Sequence, residues 1–254
     1  MNIDLSIIIP ALNEEKNISK AINNCLSALN SLKINGELIC INDGSTDKTE
    51  SEVRKIMKSY KRVRLINHSY PQGFGSSFWH GVKFAKGNAV TIIPGDNEND
   101  PWETLRYLSL IKEVDIIIPF VHNPYIRNLF RRFLSFLFLS IINNTFRTRL
   151  NYTNGTVIYK LSVLKKLQYK SSGFFFQTDI LIRLLKGGYM FAEVPYRLGM
   201  REDSVSKALS FPSLLDVIKG YIRLVIDNYF KKDNKEIIRS SITAKRSKKN
   251  KFYN

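Results

Sequence analysis

Apolar residues follow two alternating periods along the chain. Short β-branched runs at Leu5–Ile9, Glu37–Ile41, Val63–Asn67, Ala89–Ile93 and Val114–Pro119 have the length and composition of buried strands. Between them, Glu15–Leu32, Thr46–Tyr60, Gly75–Ala85 and Pro101–Lys112 place their apolar positions at helical spacing. Strand and helix in alternation predict an α/β fold, a mainly parallel sheet with helices on both faces. Ligands of such sheets bind beyond the carboxyl ends of the strands, so the loops after Ile9, Ile41 and Ile93 are the first places to look for chemistry.

Residues 1–230 read as one domain of this kind. From Lys231 to Asn254 there are nine Lys/Arg, two Asp/Glu and few apolar residues, which predicts a mobile basic tail. The whole chain carries 39 Lys+Arg against 22 Asp+Glu, a net +17, and the body stays basic without the tail. That charge admits nucleic acid, an anionic membrane surface or phosphate-bearing substrates as partners. No RNP pattern, zinc-finger spacing or helix-turn-helix is present, which argues against nucleic acid. The two cysteines, Cys25 and Cys40, have no metal-ligand spacing and suit a reducing, cytoplasmic setting. The start lacks the basic and apolar regions of a signal peptide. The longest apolar stretch, Phe133–Ile142, is ten residues with two serines inside, short of the roughly 18 to 20 of a membrane span, so no transmembrane helix is expected.

Three strand ends carry polar clusters. In Ile9-Pro10-Ala11-Leu12-Asn13-Glu14-Glu15, proline is expected to stop the ladder and the polar residues to start a helix beside the crevice. In Asn42-Asp43-Gly44-Ser45-Thr46-Asp47, Gly44 permits a tight turn and Ser45 or Thr46 can cap the next helix. Asp43 is expected to aim its carboxylate into the crevice, toward a base or ribose. By itself this segment is also an ordinary turn and cap. In Pro94-Gly95-Asp96-Asn97-Glu98-Asn99-Asp100, three carboxylates in five residues are hard oxygen donors suited to Mg²⁺ or Mn²⁺ with a diphosphate, or else a solvated acidic turn.

Taken in order, these segments resemble the inverting family 2 glycosyltransferases of GT-A fold, and most of all the polyprenyl-phosphate sugar synthase (dolichyl-phosphate mannose synthase-like) branch. The similarity runs from about Leu5 to Val225 and continues through Gly73-Phe74-Gly75, Arg131 with Ser135, Asn154-Gly155, Gly173 to Asp179, Glu193-Val194-Pro195, and Arg201 followed by Ser206-Lys207. The resemblance implies an enzyme moving a sugar from a GDP- or UDP-linked donor, with a polyprenyl phosphate as acceptor. A saccharide hydroxyl in cell-surface polysaccharide synthesis, or a non-catalytic nucleotide-sugar-binding role, are the alternatives. It gives Pro10, Asn13, Glu14, Asp43 and Asp96 to the donor, and Asp96 with Glu98 to the metal. Asp179, as a base or substrate-orienting group, joins Arg131 and Arg201 as catalytic candidates. Arg131, Arg201, Ser206 and Lys207 fall on diphosphate- or lipid-phosphate-binding positions. The chain departs from the family pattern at Asn42, Pro94 and Asn151, where aspartates are usual, and at Val157, where an arginine is.

Two further segments bear on membranes. Arg127, Arg131 and Arg132 precede the apolar stretch, and Arg147 and Arg149 follow it, so the helix near 127–147 can lie at a headgroup boundary or be buried in the core. A second helix near 212–230 puts Leu214, Ile218, Tyr221 and Val225 on one face. Peripheral association with an anionic leaflet is the expectation.

Overall fold

A computed structural model describes residues 3–167, 171–198, 211–231 and 241–250, with backbone alone at 211–213 and 247–250. Its centre is a seven-stranded sheet of β1 (Leu5–Ala11), β2 (Gly36–Asn42), β3 (Val63–Asn67), β4 (Ala89–Ile92), β5 (Ile116–Val121), β6 (Ile158–Lys160) and β7 (Phe191–Tyr196). Their order is β3-β2-β1-β4-β6-β5-β7. Four of the six pairings are parallel, three of them among the predicted strands β1 to β4, and β6 runs antiparallel between β4 and β5. Every residue of β1, β2 and β4 is buried.

Period-two alternation divides β1 between two cores. Leu5, Ile7 and Ile9 face α1 (Ile18–Ser31), which presents Ile18, Ile22, Cys25 and Leu29 at helical spacing. Ile8 faces the other way, with α3 (Phe74–Phe84) laying Phe78, Trp79 and Val82 over it, beside α7 (Phe176–Lys186). The remaining helices are α2 (Thr49–Ser59), α4 (Pro101–Leu105), α5 (Leu129–Phe146), α6 (Leu161–Leu164), α8 (Phe211–Tyr229) and α9 (Ile242–Asn250).

Four departures from the sequence reading have physical causes. Pro10 does not end the ladder, because β1 stays in register with β2 through Ala11. The Pro10 carbonyl points away from β2 and accepts from Gly95 N–H at 2.9 Å, while Ala11 O takes Asp43 N–H at 2.9 Å, so the proline interrupts no bond to β2. The helix expected over Pro101–Lys112 stops at Leu105, and Leu108–Lys112 winds as a 3-10 turn, which matches the three-residue step of Leu105, Leu108 and Ile111. Strands β6 and β7 were not signalled, the first having three residues and the second an exposed edge pattern with Pro195 inside.

The fourth concerns the tail, whose residues 241–246 pack against the body. Ser241 and Ile242 are buried, and the Asp115 carboxylate accepts from Ile242 N–H at 2.7 Å, Thr243 N–H at 3.1 Å and Thr243 Oγ1 at 2.7 Å. A carboxylate at the start of α9 satisfies amides that have no partner within the helix and complements its dipole. Arg246 adds an ion pair to Glu113.

Candidate functional site

The loops leaving β1 and β2 are laced together. Asn13, at φ 56°, donates its N–H to Ser45 Oγ at 3.0 Å and accepts from Thr46 N–H at 2.9 Å. Glu14 N–H reaches Thr49 Oγ1 at 2.8 Å, Glu15 N–H reaches Asp47 Oδ2 at 3.0 Å, and Lys48 N–H returns to Glu15 Oε2 at 2.9 Å. Ser45 and Thr46 therefore serve the neighbouring loop, not the start of α2, whose N-cap is Lys48 with no side-chain cap bond. Glu14 spends Oε2 on Asn17 at 3.0 Å. Both strand ends are thus held as one rigid lip of the crevice.

Asp43 is 5% exposed, and its carboxylate is already engaged rather than aimed freely into the crevice. Oδ1 accepts from His68 Nδ1 at 2.6 Å and from Gln72 N–H at 2.9 Å, and Oδ2 accepts from Gly73 N–H at 2.9 Å. The close approach needs glycine on both sides. Gly44 has φ 74°, and a Cβ there would lie 2.5 Å from the Tyr70 carbonyl carbon, while Gly73 has φ 97°. A carboxylate only accepts, so His68 donates from Nδ1, and its Nε2 shares a hydrogen bond with His80 Nδ1 at 2.7 Å. The two rings stack at 4.9 Å. Burial, then the neighbouring His68 and Lys83, holds His80 below the ordinary histidine value. Sequence reasoning missed both histidines. The available signal was a histidine directly beyond the end of a predicted strand.

Asn42, where the family has aspartate, donates Nδ2 to Asn67 at 3.0 Å and accepts from Ser45 N–H at 3.2 Å. An aspartate could not make the first bond. Of the three clustered acids, Asp96 Oδ1 accepts from Glu98 N–H at 3.0 Å, and Asp100 caps α4 through Trp102 N–H at 2.9 Å. Asp100 is therefore a structural cap. No group of three His, Cys, Asp or Glu side chains that could hold an ion occurs among the described residues. Two carboxylates, Asp96 and Glu98, fit an ion that keeps waters and takes the rest of its shell from phosphates, as Mg²⁺ does, and do not fit a protein-only cage.

Asp179 stands in the first turn of α7 and is 1% exposed. Both its oxygens take Arg183 Nε, at 3.1 and 3.0 Å, and Arg183 continues to Asp227 of α8 at 2.7 Å. Burial pushes the Asp179 carboxyl up against the lowering pull of Arg183. Arg183, held by this carboxylate, ties α7 to α8, and the carboxylate itself does not open into a crevice. Arg131 is half-buried in the first turn of α5. Arg201, Ser206 and Lys207 lie outside the described residues. Asn151 pairs with Glu193 at 2.7 and 2.8 Å, and Val157 is fully buried.

Helices α5 and α8 lie side by side, joined by Thr145 Oγ1 to Tyr221 OH at 2.8 Å and by the Tyr229 hydroxyl on the Thr145 carbonyl. Phe138, Leu139, Ile142 and Phe146 of α5, with Val217, Tyr221, Leu224 and Val225 of α8, pack inward. Their outer faces are apolar and exposed, including Phe130 at 67%, Phe136 at 68% and, on α8, Leu214, Ile218, Ile222 and Ile226. The face expected on α8 is thus split, with Tyr221 and Val225 inward and Leu214 and Ile218 outward. No helix among the described residues is long and apolar enough to cross a membrane.

Comparison with known proteins places this architecture. The family model for glycosyl transferase family 2 matches residues 6–167. An uncharacterised glycosyltransferase of Synechocystis is 39% identical over 101 residues, 40% of this chain and 32% of that protein, so the match spans about a third of that relative's length. An uncharacterised protein of Methanocaldococcus jannaschii is 27% identical over 86% of this chain and 97% of its own. The dodecaprenyl-phosphate galacturonate synthase of Rhizobium johnstonii is 25% identical over 66% of this chain and 51% of its own. Among solved structures, glucosyl-3-phosphoglycerate synthase of Mycobacterium tuberculosis with Mn²⁺, UDP and glucosyl-3-phosphoglycerate superposes at TM-score 0.62, 18% identity, covering 91% of this chain and 81% of that one. S. aureus TarS 1–349 with UDP-GlcNAc superposes at 0.65, 18% identity, covering 91% and 68%. These likenesses establish the GT-A fold, and with the family match over most of the sheet the chain belongs to glycosyl transferase family 2.

Proposed function

We propose that the chain transfers a sugar from a UDP-linked donor to a polyprenyl phosphate while resting on an anionic membrane surface. The observation that carries the acceptor class is the exposed apolar face of α5 and α8. Soluble proteins seldom leave so many large apolar side chains together in water. Arg127, Arg131 and Arg132 at one end of α5, with Arg147 and Arg149 at the other, suit lipid phosphates at headgroup depth. The relative named as a dodecaprenyl-phosphate galacturonate synthase supports the same reading.

The state of Asp179 supports it chemically. A carboxylate held on both oxygens by Arg183 is poorly placed to take a proton from a hydroxyl, whereas a phosphate acceptor is ionised near neutral pH and needs no base. Its oxygen attacks the anomeric carbon from the face opposite the nucleotide, and the bond to the diphosphate breaks with the electron pair leaving on that diphosphate. Arg131, Arg201, Ser206 and Lys207 are the candidates for holding the two anions together, arginine being suited by its planar fork. Asp96, supported by Glu98, is the proposed carboxylate for Mg²⁺ or Mn²⁺, which would neutralise the departing diphosphate as a Lewis acid. The structural neighbours solved with Mn²⁺ and UDP support that choice.

Asp43 favours uracil over guanine by its vacancies. Of about four acceptor positions on a carboxylate, three are used by His68, Gln72 and Gly73, which leaves one on Oδ2. The uracil imide offers one N–H, whereas guanine presents two donors side by side. Pro10, Asn13 and Glu14 complete the donor lip. The test incubates the chain, membranes, and radiolabelled UDP- or GDP-sugars with Mg²⁺ or Mn²⁺, then extracts lipid. Label in the lipid extract from UDP-sugars alone is the expected result, and label confined to water-soluble saccharide would overturn the acceptor assignment.

A further inference from the structure

At the end of the sheet opposite the strand-end crevice lies a second cavity, of about 810 Å³. Its walls come from the starts of parallel strands, from the end of the antiparallel β6, and from α9. Lys33, Lys112, Lys160, Lys165 and Lys245 line it, against a single acid, Asp4, which already accepts from Asn35 N–H at 3.3 Å. None of the five lysines has a carboxylate within ion-pair distance among the described residues. Asp115, the nearest buried acid to Lys160, spends both oxygens on the start of α9.

Folding seldom gathers five like charges around a concavity without a counter-charge, since each repels the others in proportion to the water excluded. Burial, more than its neighbours, disfavours the charged form of Lys160, with Asp115 attracting it and Lys245 repelling it. The Ser162 hydroxyl, also in the wall, is buried with no hydrogen-bond partner among the described residues. Buried hydroxyls are ordinarily satisfied, and one that is not marks a place where a partner is missing. Leu161 and Ile242 give the cavity apolar footing, and its volume is that of a small-molecule site.

We propose that this cavity binds a phosphate-bearing anion, bridging Lys245 of the docked C-terminal helix to Lys160 and Lys165 of the sheet body. The site is separate from the donor crevice, and α9 completes it. A phosphorylated small molecule and an anionic lipid headgroup share the required chemistry, and the two arms of the test separate them.

In the first arm, sodium pyrophosphate is titrated into the full chain by calorimetry, in chelator and at constant ionic strength. In the second, phosphatidylglycerol vesicles are compared with phosphatidylcholine vesicles. Lys160→Gln with Lys245→Gln should weaken the probe of the true source by about tenfold or more, the loss of one or two charge-assisted bonds. Lys58→Gln, on α2 and away from the cavity, should not. Ser162→Val should weaken the same probe while the circular dichroism spectrum is unchanged. Loss in the pyrophosphate arm identifies a soluble phosphate and loss in the vesicle arm a headgroup. Unchanged binding of both probes by the double variant, or equal weakening by Lys58→Gln, would overturn the site.

Discussion

Replacing Asp43 by alanine removes the acceptor of three donors at once, the His68 imidazole and the amides of Gln72 and Gly73. A donor left unpaired in a buried place costs about 1–3 kcal/mol. Even at the lower bound the sum is about 3 kcal/mol, and at about 2 °C per kcal/mol for a chain of this size Tm should fall by about 6 °C or more. Donor affinity should fall as well, by roughly 10- to 100-fold, the worth of one hydrogen bond to a charged acceptor. Asp43→Asn keeps one oxygen and should fall between. The assay is calorimetric melting without ligand, which isolates the anchor, followed by titration with UDP, which reads the vacancy on Oδ2. An alanine variant that melts with the parent would refute the three-bond anchor, and one that melts early yet binds UDP like the parent would refute the contact to the base.

Asp96→Ala should lower transfer by about 10²-fold or more without shifting Tm, and full activity of the parent in excess chelator would remove the ion from its role. Phe133→Asp with Phe136→Asp should abolish partition onto anionic vesicles and leave the melt unchanged, since both side chains are already exposed; vesicle binding equal to the parent's would reject the docking face. Asp115→Ala should release α9, read as faster tryptic cleavage at Lys245 and Arg246, and an unchanged cleavage rate would show that the three bonds do not hold it. His80 is held below the ordinary histidine value, so the unfolded chain binds the extra proton first and stability is lost as pH falls through about 6.5. His80→Phe should flatten that part of the acid slope in pH-dependent melts.

Much of the sheet was legible because five of its strands are runs of isoleucine, valine and leucine with a helical period between them. β6 escaped because three residues carry no period, and β7 because an edge strand needs no apolar run. At the site, sequence located the strand-end loops but not the use of their side chains. Asp43, Asp100 and Asp179 all looked available, and each is committed, Asp100 and Asp179 within their own helical turns and Asp43 to a neighbour that only the fold brings near. His68 was invisible for the same reason, its partner standing 25 residues away. The docked tail was hidden by its composition. Nine basic residues outweighed one isoleucine and one buried aspartate far upstream.

The sheet order also sets a schedule for synthesis. β1 to β4 pair among themselves and can close as soon as they leave the ribosome. β5, whose first four residues are apolar or proline and end up buried, pairs with none of them and waits for β6 and then for β7, about 75 residues later. At roughly 5–20 residues per second, that nascent strand keeps at least one edge unpaired for about 4–15 s. In that interval it is the segment most exposed to aggregation, and the one a chaperone would have most reason to hold.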